Sequence, residues 1–153
     1  MDMPRPTKPS EAKEPTSNMN SVVWFNVPSD DLERATTFYR NVFGWRIQPL
    51  SVEREELLNY HTALTGKSDE NLMPVSPGVV NGCIVKRKMG IPHATILIEV
   101  DDLDEAAERV KAAGGEVVSQ KIRIENVRGT LILVKDTEGN IVEVMKQDND
   151  SRR

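Results

Sequence analysis

The feature that most constrains this chain is an internal repeat. Asp30-Asp31-Leu32-Glu33-Arg34-Ala35 recurs 71 residues later as Asp101-Asp102-Leu103-Asp104-Glu105-Ala106, and the same offset carries Gly44 onto Gly115. Each block opens with aspartates that can cap a helix N-terminus, followed by apolar residues at helical spacing. The first helix is expected to run to about Phe43, with Leu32, Ala35, Tyr39, Val42 and Phe43 on one face and Gly44 as the stop. The second is expected to reach about Ala113, with Leu103, Ala106, Ala107 and Val110 inward and Gly114-Gly115 as the stop. Val27 and Val100 close the preceding strands, and Pro28-Ser29 is a two-residue insertion in the first half. Runs rich in β-branched and aromatic residues predict strands at 21–27, 45–50, 60–65 and 79–87, then at 93–100, 116–124, 129–135 and 141–146. The polar connection holding Glu53 to Glu56 could instead contain a helical turn, and DTEGN (136–140) turns the last two strands.

These elements make an α+β chain of two tandem βαβββ modules, about 20–89 and 91–147, within one domain over 19–147. A module of ~65 residues could hardly bury its own sheet, so the two are expected to share a core. Residues 1–18 hold four prolines and almost no large apolar side chains, the composition of a disordered tail; the polar stretch 148–153 is expected to fray.

Composition narrows the function. A net charge of −4 gives no dense basic face for nucleic acid. The single cysteine, Cys83, permits no internal disulfide. No apolar run approaches the ~20 residues that span a bilayer, and there is no signal-peptide pattern, so the expected location is cytoplasmic.

Strand alternation assigns faces. On the first strand Val23, Phe25 and Val27 are expected under the helix, with Val22, Trp24 and Asn26 on the concave side. On the fifth, Ala94, Ile96, Ile98 and Val100 face the second helix, while His93, Thr95, Leu97 and Glu99 face the cavity or its rim. On the last strand Val142 and Val144 point outward, leaving Ile141, Glu143 and Met145 inside. A carboxylate between apolar neighbours is costly unless paired, protonated or liganded, which singles out Glu143. A strand glutamate facing water or a cross-strand cation is the alternative.

FYRNVFGW (38–45), NGCIVKR (81–87), VDDLDEAAERVKAAGGEVV (100–118) and DTEGNIVEV (136–144) together resemble the glyoxalase/bleomycin resistance protein/dioxygenase (vicinal oxygen chelate) superfamily, in a glyoxalase-like branch with no assigned reaction. The resemblance implies a curved mixed sheet around a cavity, helices outside, and a homodimer. It also places Glu143 where metal-binding members carry their last carboxylate ligand. The first-strand ligand position falls on Val22, which cannot bind metal, and the fifth-strand one on Thr95, a poor ligand. Asn81 and Cys83 are the fourth-strand candidates. His93, two residues before Thr95, enters a site only if the alignment shifts, and His61 has no evident partner. Catalytic metals want about three protein ligands. The expectation is therefore a protein without a divalent metal or other cofactor, binding a small, partly apolar molecule between the modules. Trp24, Asn26, Thr95, Leu97 and Glu143 would line its site, with Glu143 the possible general base of a glyoxalase-like lyase. The alternatives are a metal-dependent lyase, isomerase or ring-cleaving dioxygenase using Glu143 and His93, and a non-catalytic drug-sequestering binder. Cys83 is expected to be a core thiol.

Overall fold

The computed structural model describes residues 19–49, 60–87, 91–124 and 128–148. In chain order the elements are β1 (Val22–Ser29), α1 (Leu32–Phe43), β2 (Arg46–Pro49), β3 (Tyr60–Leu64), β4 (Gly82–Lys86), β5 (Thr95–Glu99), α2 (Leu103–Ala112), β6 (Glu116–Val117), β7 (Ile122–Ile124), β8 (Gly129–Lys135) and β9 (Ile141–Gln147). The expected strand over 116–124 is broken: β6 and β7 each pair with β8, with residues 118–121 between them. The expected turn in residues 53–56 lies outside the described residues, as do 1–18 and 149–153. Asp148, expected to fray, is held: its N–H donates to the Arg128 carbonyl, and its carboxylate takes two hydrogen bonds from Arg123.

One curved mixed sheet carries the strands in the order β2-β3-β4-β1-β5-β9-β8-β6. The order displays the repeat. β1 pairs parallel with β4 and β5 parallel with β9, so each module is closed by its own last strand. The modules join where β1 and β5 run antiparallel. No helix among the described residues is long and apolar enough to cross a membrane.

The helices start alike and end differently. Asp31 and Asp102 are the N-caps, accepting from the N–H of Arg34 at 3.0 Å and of Glu105 at 2.9 Å. Gly44 ends α1 with φ +71°. At α2 the left-handed residue is Gly114 (φ +91°), not Gly115, the counterpart given by the offset. Gly114 N–H bonds to Lys111 O and Gly115 N–H to Val110 O, the paired bonds of a Schellman end.

Each helix covers its own module. Leu103, Ala106, Ala107 and Val110 pack with Ile98, Val100, Ile132, Val134, Val142 and Val144, as the pattern predicts. Under α1 lie Leu32, Ala35 and Tyr39 with Phe25, Trp45, Ile47, Ala63 and Ile84. Tyr39 and Trp45 stack at 4.8 Å between centroids. Two expectations fail here. Val42 and Phe43 are 55% and 59% exposed, and Phe38 is exposed beside them. Ile96, expected under α2, is also exposed.

His61 faces this side of β3. Its Nδ1 lies 3.3 Å from the buried Thr36 hydroxyl, and burial followed by the Arg40 charge lowers its pKa from the ordinary value of 6.5. A lowered folded-state value means that the unfolded chain binds the proton first. Its contribution is therefore complete above pH 6.5 and lost as pH falls through the lowered value. Urea midpoints at pH 7.5 and pH 5 should fall more for wild type than for His61→Gln. An equal fall would remove His61 from the acid response.

Candidate functional site

The concave face is built by the strands' other side chains. Cys83, Val85 and Ile91 form a cluster in module one, flanked by Tyr60 and Trp24. Leu97, Leu131, Leu133 and Met145 form another in module two, flanked by Val23, Trp24, Ile124 and Ile141. Trp24 belongs to both and so marks the seam. Val23 was expected under α1. The register between β1 and β5 shifts between Val22 and Trp24, and this bulge turns Val23 to the concave cluster and leaves Val22 exposed.

Glu143 sits at the seam, 3% exposed. Its neighbour across the β5 edge is Leu97. Two neutral donors reach it: Asn26 Nδ2 at 2.5 Å and Thr95 Oγ1 at 2.7 Å. Both bonds end on Oε2, leaving Oε1 with none from the described residues. Asn26 and Thr95 are themselves cross-strand partners, which is why one oxygen serves both. No cation among the described residues lies beside the carboxyl. Burial therefore dominates and raises its pKa, against the two hydrogen bonds that lower it.

The structure thus brings Trp24, Asn26, Thr95, Leu97 and Glu143 together on the concave face. His93 is not among them: it is exposed, with Nδ1 3.0 Å from the carbonyl of Ala94. Cys83 is buried and packs against Trp24, and burial pushes the thiol up to about 12 although the Trp24 side chain lowers it. That is a core thiol and no nucleophile. Tyr60 completes the concave group and was missed from sequence. Its hydroxyl is raised to about 12 by burial and then by the charges of Glu143 and Cys83.

Asn81, a candidate ligand from sequence, has a different task. It is fully buried, accepts from Thr65 N–H at 2.9 Å, and donates to Ser68 Oγ at 2.8 Å and Leu72 O at 3.0 Å. It therefore staples the loop between β3 and β4. Asn81→Ala should cost about 2–3 kcal/mol, since truncation strands the buried partners. Denaturant unfolding checks this, and a loss below ~1 kcal/mol would mean that the loop holds itself.

A conventional divalent site does not fit this donor set. Among the described residues it holds one carboxylate, that of Glu143. Asn26 and Thr95 turn their hydrogens toward it, and Cys83 keeps its proton. Among the described residues no three His, Cys, Asp or Glu side chains converge. Such sites draw about three ligands from those types. Open depressions of about 280 and 350 Å³ lie on the other face, at the starts of α1 and α2, and neither is lined by Glu143.

Two βαβββ modules that share one curved sheet, with a buried carboxyl at their seam on the concave face, define a paired-module α+β protein. The protein-family model for the Glyoxalase/Bleomycin resistance protein/Dioxygenase superfamily matches residues 21–144, and the chain belongs to that superfamily. It is similar to putative glyoxylase CFP32 of Mycobacterium bovis, 27% identical over 127 residues; these are 82% of this chain and 44% of the relative, so the chain spans under half of that protein. It is also similar to lactoylglutathione lyase of Salmonella typhimurium, 27% identical over 122 residues, 80% of this chain and 89% of the relative. Among solved structures, methylmalonyl-CoA epimerase from Mycobacterium tuberculosis superposes with TM-score 0.56 at 15% identity, covering 90% of this chain and 94% of that one. The Mn(II)-bound glyoxalase from Novosphingobium aromaticivorans gives 0.54 at 14% identity, covering 86% and 40%. At these identities the structural likeness is one of fold.

Proposed function

We propose that the concave face binds a small, partly apolar carbonyl compound and that Glu143 acts there as a general base without a conventional divalent metal. The observation that carries this reading is a buried carboxyl with no cation beside it among the described residues, held through one oxygen with the other uncommitted. Burial moves its proton affinity toward neutrality, where a base works best. Asn26 and Thr95 orient it, and Trp24 and Leu97 supply apolar walls. The relatives named lactoylglutathione lyase support a compound with an acidic C–H beside a carbonyl, since lactoylglutathione is a thioester of that kind. A ligand reaching Glu143 displaces side chains that now fill the hollow, and Met145, flexible and next to it on the same face, is the readiest to move.

The competing reading is metal-dependent chemistry, favoured by the position of Glu143 alone. Elemental analysis of protein purified without chelator, and again after excess nickel, zinc, manganese or ferrous iron, separates the two. The expected result is no stoichiometric metal and full proton-exchange activity in chelator. Near-stoichiometric metal that vanishes in Glu143→Ala would overturn the metal-free reading.

A further inference from the structure

Tyr60 begins β3. His61 and Ala63 lie on the α1 side, so alternation puts Tyr60 and Thr62 on the concave face. The ring packs with Trp24 against Cys83, Val85 and Ile91. In the sheet, β4, β1 and β5 separate β3 from β9. Four strand spacings are ~19 Å on a flat sheet, yet Trp24 packs in one cluster with Tyr60 and in another with Leu97, the cross-strand partner of Glu143. The curved sheet thus brings the two ends of the concave face toward each other around Trp24, and the upward push of Glu143 on the Tyr60 phenol agrees with this. Among the described residues, the Tyr60 hydroxyl makes no hydrogen bond. Asn26 gives one amide hydrogen and Thr95 its hydroxyl hydrogen to Oε2 of Glu143. Of the polar side chains around Glu143, Tyr60 has the uncommitted O–H, and Glu143 Oε1 is the uncommitted acceptor.

We propose that Tyr60 is the oxyanion donor of the site, holding the carbonyl oxygen of a ketone, aldehyde adduct or thioester while Glu143 removes a proton from the adjacent carbon. This rests on Glu143 being the base. In the step, Glu143 accepts the proton, and the C–H electron pair becomes the carbon–carbon π bond of an enolate. The carbonyl π pair moves onto oxygen, where the Tyr60 O–H meets it. The proton, or a deuteron taken up by Glu143 from solvent, then returns to the same carbon and the carbonyl reforms, so no oxidant, reductant or co-reactant is consumed. Tyr60 keeps its proton throughout the ordinary pH range and acts by donation. The pairing restricts substrates to compounds that carry both a carbonyl acceptor and a C–H beside it.

The test uses the full chain in deuterium oxide, following loss of the C–H signal of lactoylglutathione and of hydroxyacetone by proton NMR. Glu143→Gln should abolish exchange. Tyr60→Phe should slow it about 10²–10³-fold, the usual effect of removing one oxyanion donor, while the pH at which the rate rises stays with Glu143. Exchange lost in Glu143→Gln but unchanged in Tyr60→Phe would overturn the role of Tyr60 and leave the base in place. No exchange by wild type, or equal exchange in Glu143→Gln, would overturn both. Alkaline absorbance titration provides a readout independent of turnover. The chain has two tyrosines, Tyr39 and Tyr60, so Tyr60→Phe identifies the signal. The Tyr60 phenol should titrate near 12 in wild type and lower in Glu143→Gln. The same value in both would show that the two groups do not face each other and would overturn the proposal.

Discussion

Glu143→Gln should give a protein that unfolds at a higher temperature than wild type at pH 7–8 and no longer catalyses carbon–hydrogen exchange. The two effects share one cause. Glu143 is 3% exposed, and its burial is compensated only by Asn26 and Thr95. Its pKa is raised, so ionisation costs more in the folded protein than in the unfolded chain. The sign follows directly. Below the ordinary carboxyl value of 4.5 both states hold the proton and the stabilising contribution is complete. As pH rises the unfolded chain releases its proton first, and stability is lost until the folded-state value is passed. Glutamine keeps the shape, accepts from Asn26 and Thr95 through its amide oxygen, and carries no charge. Each tenfold displacement of the proton equilibrium is worth about 1.4 kcal/mol, and each kcal/mol is worth about 2–4 °C in a domain of this size. A gain of a few degrees at pH 8 that shrinks toward pH 4 is therefore expected in thermal melts. Against this, the variant has no base, so exchange should fall to the buffer rate. A melting temperature below that of wild type at pH 8 would show that the carboxylate is stabilised by something other than these two donors. Removing a group that costs stability and supplies reactivity is the usual trade at active sites.

Much of this site was legible because two periodicities carry it. The helical spacing of Leu103, Ala106, Ala107 and Val110 recurs in the core without change. The alternation of strands placed Trp24, Asn26, Thr95, Leu97 and Glu143 on one face, and they meet there. What stayed hidden depends on pairing between strands. The family resemblance put the first-strand ligand position at Val22, four residues from Asn26, which holds Glu143. β1 and β5 run antiparallel, so the partner of Thr95 is Asn26, while Val22 pairs with Ile98 at the other end. A likeness of motifs carries no information about that register. The bulge before Trp24 is invisible for the same reason and reverses Val23. Tyr60 opens a short strand whose inward face is fixed only by its pairing with Val85. Val42 and Phe43 keep helical spacing yet stay exposed, so apolar pattern and burial part company.

Gly82→Ala should be the most damaging single-methyl change in module one. Gly82 pairs with Phe25 across the parallel β1–β4 edge. A Cβ there would lie 2.3 Å from the Phe25 carbonyl oxygen and 2.6 Å from two carbons of its ring. The missing side chain is the slot in which the Phe25 ring lies, and that ring in turn meets Trp45 at 5.6 Å. Overpacking a core typically costs about 1–3 kcal/mol when side chains can yield. Here the nearest atom belongs to the backbone of β1, so at least about 3 kcal/mol is expected from denaturant unfolding. Phe25→Leu in the Gly82→Ala background separates the two clashes. If the carbonyl dominates, the shorter side chain restores less than half of the loss; fuller recovery would place the cost on the ring. The displacement should also reach the site. Asn26 follows Phe25 directly and holds Glu143, so a shift of β1 away from β4 loosens the amide that orients the base. Gly82→Ala, assayed well below its unfolding transition, should therefore slow proton exchange while Glu143 remains present. An unaltered rate in a protein so destabilised would show that β1 absorbs the strain on its helix side, and that Asn26 is positioned by β5 alone.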